Sequence, residues 1–229
     1  MTRRLFAYSD LHNALIRLRA FYNSHPIRLQ PSDNDLTRGD AYLIAAHAAI
    51  EHYVEDLCRR SVNQSVHRFA RQGLHTAALK SLIDGHYWRQ AVDLPRGVFA
   101  FASGHEEVAR AVKWYIGRVD TNNGIRRSNL MALLLPLGFR EPDFDEVWMG
   151  DMDSFGGDRG DIAHGRPVQP RISPPIQVGP AGQTISITVW TPSATRHRNT
   201  APPWEIERRI RRITPELRKW DQRVIQRSA

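Results

Sequence analysis

One cysteine, Cys58, is too few for an intramolecular disulfide or a multi-cysteine zinc or iron–sulfur site, and it suits a reducing compartment. Lysine is almost as scarce. Lys80, Lys113 and Lys219 are the lysines among 32 basic residues, so nearly all the positive charge is arginine. No stretch approaches the ~18 apolar residues of a membrane span, and the first 19 residues carry charge where a signal peptide would be apolar. A soluble, cytoplasmic protein without a membrane partner is the expectation. The sequence has no Walker loop, Rossmann glycine fingerprint, nucleophile elbow or HExxH zinc motif, so neither a cofactor nor a resident metal is expected.

What is present is ordinary globular material: 229 residues, 41% hydrophobic and 24% charged, enough for one domain with a real core. The net charge is +8. Arginine's planar fork donates two parallel hydrogen bonds to a phosphate, so an arginine-borne excess is consistent with RNA or DNA. A basic solvated face is the plainer explanation of the same numbers.

Hydrophobic spacing predicts an all-α chain with one β-like insert. Ser9 or Asp10 can cap a first helix reaching about Ser24, with Leu11, Leu15, Leu18 and Tyr22 on one face. Residues 31–39 read as a polar linker. A long helix from Thr37 or Asp40 to about Arg71 follows, striped by Leu43, Ile50, Val54 and Leu57 and stopped by Gly73. Further helices are expected over 76–90, 103–119, 125–137 and 143–155. Asn122-Asn123-Gly124 is a turn, and Gly156-Gly157 should interrupt the chain before a short helical piece from Arg159 to Gly165. The alternation of Ile185, Ile187 and Val189 after the turn residues 179–182 suggests a hairpin. The last helix, 204–226, carries Ile206, Ile210, Ile213, Leu217, Trp220 and Val224 as its stripe, with Pro215 as a possible kink. Organisation is therefore a single domain: a helical core over 1–167, an insert and linker over 168–203, and a basic C-terminal helix over 204–229.

The segment 158–165 stands out for chemistry, because Arg159 and His164 sit among small residues that let a phosphate approach closely. An Arg/His pair at this spacing is not specific in a chain with so many arginines and 10 histidines. The order of parts around it is more specific. Three blocks, 41–57 (AYLIAAHAAIEHYVEDL), 122–130 (NNGIRRSNL) and 159–165 (RGDIAHG), together make the chain resemble the HEPN superfamily of helical ribonuclease domains, and within it the RiboL-PSP-HEPN family.

That resemblance implies a HEPN-like helical bundle acting as a metal-independent RNA endonuclease in a toxin–antitoxin or phage-defence setting. It maps the signature of an arginine, four to six residues and a histidine onto Arg159 and His164 as catalytic residues. The residue after the arginine is commonly asparagine in the family; here it is Gly160, and Asp161 supplies the polar group. A tyrosine two residues after the histidine accompanies pairing with a nucleotidyltransferase antitoxin, and this chain has Arg166 there, so that partner is not expected. The resemblance also implies a homodimer that brings two His164 side chains to one cleft, with an antitoxin or defence protein as a possible partner.

The chemistry is consistent with those residue types. Histidine can act as acid or base near neutral pH, whereas Arg159 keeps its proton and is suited to hold the phosphate and stabilise added negative charge. On an ideal helix, residues five apart differ by about 140°, so Arg159 and His164 should flank a cleft. His47, with Glu51 one turn on, could orient Arg159 or His164, or could be a buried pair without a catalytic role. Arg126, Arg127 and Arg166 are candidate RNA contacts. Asp151, Asp153, Asp158 and Asp161 are acidic neighbours without the fixed spacing of a metal cage. The alternative function is a non-catalytic HEPN-like domain that binds RNA or a protein.

Overall fold

The computed structural model describes residues 7–24, 30–90, 104–163 and 201–228. Along them run α1 (Ala7–Tyr22), α2 (Asp33–Gln72), α3 (Ala77–Gln90), α4 (Gly104–Asp120), α5 (Arg127–Leu134), α6 (Glu146–Ala163) and α7 (Pro203–Ser228). Two single 3₁₀ turns, Leu135–Leu137 and Glu141–Asp143, connect α5 to α6. Among the described residues there is no strand, in keeping with the all-α expectation. The expected hairpin lies outside them.

α2 is the axle of the bundle. Tyr42, Leu43, Ala46, Ile50, Tyr53, Val54, Leu57, Cys58 and Val62 recur on its inner face and are buried against α1, α3, α4, α6 and α7. Cys58 is one of these packing residues, and burial pushes its thiol up to about 12, far from reactivity. Residues 31–39 are not a linker. Ser32 and Asp35 form a reciprocal capping box that starts α2 at Asp33, with Asp35 N–H donating to Ser32 Oγ at 3.2 Å and Ser32 N–H to Asp35 Oδ2 at 2.9 Å. Polar residues that looked like a loop are the helix's own first turn. Gly73, at φ 65°, ends α2 with its N–H on Phe69 O at 2.8 Å.

The apolar stripe expected on the last helix is buried throughout, from Ile206 to Val224, so α7 packs on the bundle. Trp220 lies among Phe139, Phe144 and Trp148, and Tyr53 Oη donates to Leu217 O at 2.8 Å. The helix continues through Pro215. Its cations are largely committed. Arg209 pairs with Asp158 at 2.6 Å, Arg212 with Asp151 at 3.1 Å, Arg211 with Glu207 at 2.8 Å and Arg227 with Asp143 at 3.1 Å. α7 enters across Gly39, where a Cβ would fall 1.7 Å from Ala201 O, so only glycine allows that crossing.

Two further boundaries differ from expectation. α5 ends at Leu134 and gives way to the tighter turn Leu135–Leu137, since Pro136 has no N–H to continue the ladder. Gly156 and Gly157 do not interrupt the chain: α6 runs through both to Ala163. Glycine in a helix interior loses packing and backbone entropy, so three of them within five residues, Gly156, Gly157 and Gly160, need a reason. It lies in what rests against them.

Candidate active site

His47 and Glu51 occupy successive turns of α2, which puts them on one face. His47 is 2% exposed, and its Nδ1 stands 3.6 Å from Glu51 Oε2 with no hydrogen-bond partner. The imidazole stacks with Phe155 of α6 at 6.3 Å between ring centres, almost parallel. One turn beyond Phe155 on α6 comes Arg159, which is half-buried and close enough to act on both His47 and Glu51 electrostatically.

The turn at 122–124 completes the arrangement. Asn122 Nδ2 donates to Glu55 Oε1 at 3.0 Å and to Gly124 O at 3.1 Å, and Asn129 Nδ2 reaches Asn122 Oδ1 at 3.4 Å. Gly124 adopts φ 130°, a conformation few side-chain-bearing residues take, and its N–H lies near enough to the Glu51 carboxyl group to lower that group's pKa. The turn thus fastens the start of α5 to Glu55 of α2 and sets it beside Glu51.

Arg126, at the N-cap of α5, then lies along α6. A Cβ on Gly156 would come 2.8 Å from Arg126 Cγ, one on Gly157 3.3 Å from Arg126 Nη2, and one on Gly160 3.5 Å from the same nitrogen. The glycines leave a bare face for the arginine stem. Among the described residues, no hydrogen bond or carboxylate within ion-pair distance engages the guanidinium of Arg126 or Arg159, whereas nearby Arg127, Arg209 and Arg212 pair with Glu146, Asp158 and Asp151.

Electrostatics follow from this layout. Burial first, then the positive charges of Arg159 and Arg126, lower the His47 pKa to about 4, so the ring is neutral at pH 7. Burial raises the Glu51 pKa and Glu55 adds to the rise, while the Gly124 N–H and Arg159 pull it back. The site therefore carries two cations, without an ion-pair partner among the described residues, beside a neutral imidazole and the Glu51 carboxyl group.

Of the residues singled out from sequence, the fold brings together His47, Glu51, Arg126 and Arg159. Arg127 turns away to an exposed bidentate pair with Glu146. Asp161 is half-buried on α6, and His164 and Arg166 lie outside the described residues. Asp151 and Asp158 are held by α7 arginines, and among the described residues no three His, Cys, Asp or Glu side chains converge as a metal cage would require. Sequence reasoning gave Asn122 and Gly124 only a turn, and missed the role of the glycines. The recurrence of glycine at 156 and 160, one helical turn apart, was the available signal.

The described parts of the three sequence blocks, separated by tens of residues, meet at this one place. A family model described as RiboL-PSP-HEPN matches residues 10–176 and spans all three. The chain belongs to the RiboL-PSP-HEPN family. No curated protein and no solved structure matches it. The RiboL-PSP-HEPN match takes in most of α1, all of α2 to α6 and both Arg159 and His164, and it stops before α7, which in this member completes the core. Among the described residues no helix is long and apolar enough to cross a membrane.

Proposed function

We propose that this RiboL-PSP-HEPN protein is a metal-independent RNA endonuclease that works as a homodimer in a toxin–antitoxin or phage-defence setting in the cytoplasm. The observation that carries the reading is the Arg159 guanidinium, without a hydrogen bond or ion pair among the described residues, set beside buried His47 and half-buried Glu51 within the family-matched segment that also contains His164.

The chemistry is transesterification. The 2′-hydroxyl attacks the adjacent phosphorus, its proton passes to a base, and the 5′-oxygen of the next nucleotide leaves with a proton from an acid. The products are a 2′,3′-cyclic phosphate and a 5′-hydroxyl. Arg159 donates hydrogen bonds to the non-bridging oxygens as their negative charge grows. His164 supplies proton transfer, and because one imidazole cannot serve as base and acid at the same moment, two copies of His164 across a dimer divide the roles. His47, kept neutral, positions Arg159, and Asp161 supports the motif from the same helix. Arg126 and Arg166 extend the positive path for the RNA, and Arg127 joins only by exchanging Glu146 for a phosphate.

Wild type and His164→Ala incubated with RNA and EDTA decide the matter. The expected outcome is cutting by wild type alone, with a cyclic phosphate on the 3′ end by mass and resistance of DNA, which lacks the attacking hydroxyl. A wild type that binds RNA and cuts none overturns the proposal in favour of a binding domain.

A further inference from the structure

Arg126 does not need to lie where it does for the fold. An N-cap position favours Ser, Asp or Asn, and Arg126 makes no capping bond. Its stem instead follows the one face of α6 that carries three glycines, while Gly150 on the same helix has nothing within 4 Å of a built Cβ. A long cation has been laid along a helix at the cost of helix propensity, and among the described residues no carboxylate lies within ion-pair distance of it.

Two facts outside the glycine face point to an anion. His47, 2% exposed, keeps an unpartnered Nδ1 in the combined field of Arg126 and Arg159. Several nearby acids are engaged elsewhere, Asp158 with Arg209, Asp151 with Arg212 and Glu146 with Arg127, while Glu51 acts on Arg159 without an ion-pair contact among the described residues. Two like charges held near one buried ring are offset in part by the single Glu51 carboxylate, and an anion between them relieves the repulsion that remains.

We infer that Arg126 and Arg159 form a two-guanidinium seat for the phosphodiester backbone of RNA, and that Gly156, Gly157 and Gly160 exist to place Arg126 in it. The seat rests on the reading of the site as one for RNA. Arg126 is in this account a binding and positioning residue, and the glycines determine its reach.

The contact distances separate the glycines' roles. A methyl on Gly156 meets Arg126 Cγ at 2.8 Å, close to the root of the side chain, so the stem as a whole must shift. A methyl on Gly157 meets only the flexible end of Arg126, so it displaces the guanidinium and leaves the fold intact. Alanine is also the better helix former.

The test is binding of a fluorescently labelled 2′-O-methyl RNA oligonucleotide, which lacks the free hydroxyl needed for cutting, to the full chain over a range of salt. Arg126→Gln should bind about tenfold more weakly and lower the salt slope by about one, with an unchanged melting temperature. Gly157→Ala should weaken binding in the same direction without lowering the melting temperature, and Gly150→Ala should bind as wild type does. Wild-type affinity in Arg126→Gln or in Gly157→Ala overturns the seat, as does a wild type that fails to bind. Cutting of unmodified RNA is scored separately: binding that depends on Arg126 without any cutting supports the seat and sinks the nuclease, whereas cutting with Arg126-independent binding does the reverse.

Discussion

His47 Nδ1 faces Glu51 Oε2 across 3.6 Å and makes no hydrogen bond, so the two residues are neighbours without being a bonded pair. The separation is beyond hydrogen-bond reach, and with its pKa lowered to about 4 by burial and by Arg159 and Arg126 the ring adds no positive charge to draw Glu51 closer at neutral pH.

Side-chain NMR should therefore find one histidine titrating near 4, and His47→Gln should remove that signal. Arg159→Gln should move it upward by more than Arg126→Gln does, because Arg159 is the larger of the two charge effects. A His47 titration near 6.5 would refute the arrangement. The same shift has a stability consequence: the unfolded chain takes up the proton first, so this contribution is complete above pH ~6.5 and is lost as pH falls toward 4.

Gly124→Ala should cost about 1–3 kcal/mol, since φ 130° strains any residue with a Cβ. Asn122→Ala should cost about 1 kcal/mol from its bonds to Glu55 and Gly124. On the nuclease reading both lower RNA cutting more than the stability loss explains, because the turn sets Glu51 and the start of Arg126. Denaturant melts beside cleavage rates check this.

Gly39→Ala should destabilise by about 1–3 kcal/mol or prevent α7 from docking, since the new methyl would occupy the place of Ala201 O. Thermal unfolding followed through Trp220 fluorescence reports it. An unchanged melting temperature would mean that α7 does not cross α2 at this point.

Asp221 is buried on α7 with Oδ1 unpartnered, and burial raises its pKa to about 6 against the opposing pull of Arg60. The folded state holds this proton more tightly than the unfolded chain, so the carboxyl's contribution is present below pH ~4 and lost as pH rises through about 6. Asp221→Asn should raise stability at pH 7 by about 1–2 kcal/mol and leave it almost unchanged at pH 4. Arg60 keeps Asp56 at 2.6 Å, so the exchange strands no cation. Melts at the two pH values decide it.

Much of this molecule was legible in local pattern. The stripes of α2 and α7 are buried as their spacing predicts, that of α1 is buried at Leu11 and Leu15 and partly so at Leu18 and Tyr22, Gly73 stops α2, and His47 with Glu51 shares a face with the core. The misreadings were local conflicts resolved at a distance. Residues 31–39 looked like a linker until Ser32 and Asp35 capped each other, and Gly156-Gly157 looked like a break because propensity alone cannot see Arg126 resting on it.

Periodicity and block order, by themselves, determined an all-helical chain, the buried face of its main helices and its place in a helical family, because a 3.6-residue repeat records which side meets the core. Only the tertiary structure decided which charges stay available. Arg126 and Arg127 are adjacent in sequence, yet one lies on bare α6 beside His47 and the other is bound to Glu146. The arginines of α7, conspicuous in the sequence, are largely spent on acids of α6 and its neighbours. Whether a cation faces solvent, a carboxylate or a site depends on partners brought from elsewhere in the chain, and no local repeat encodes them.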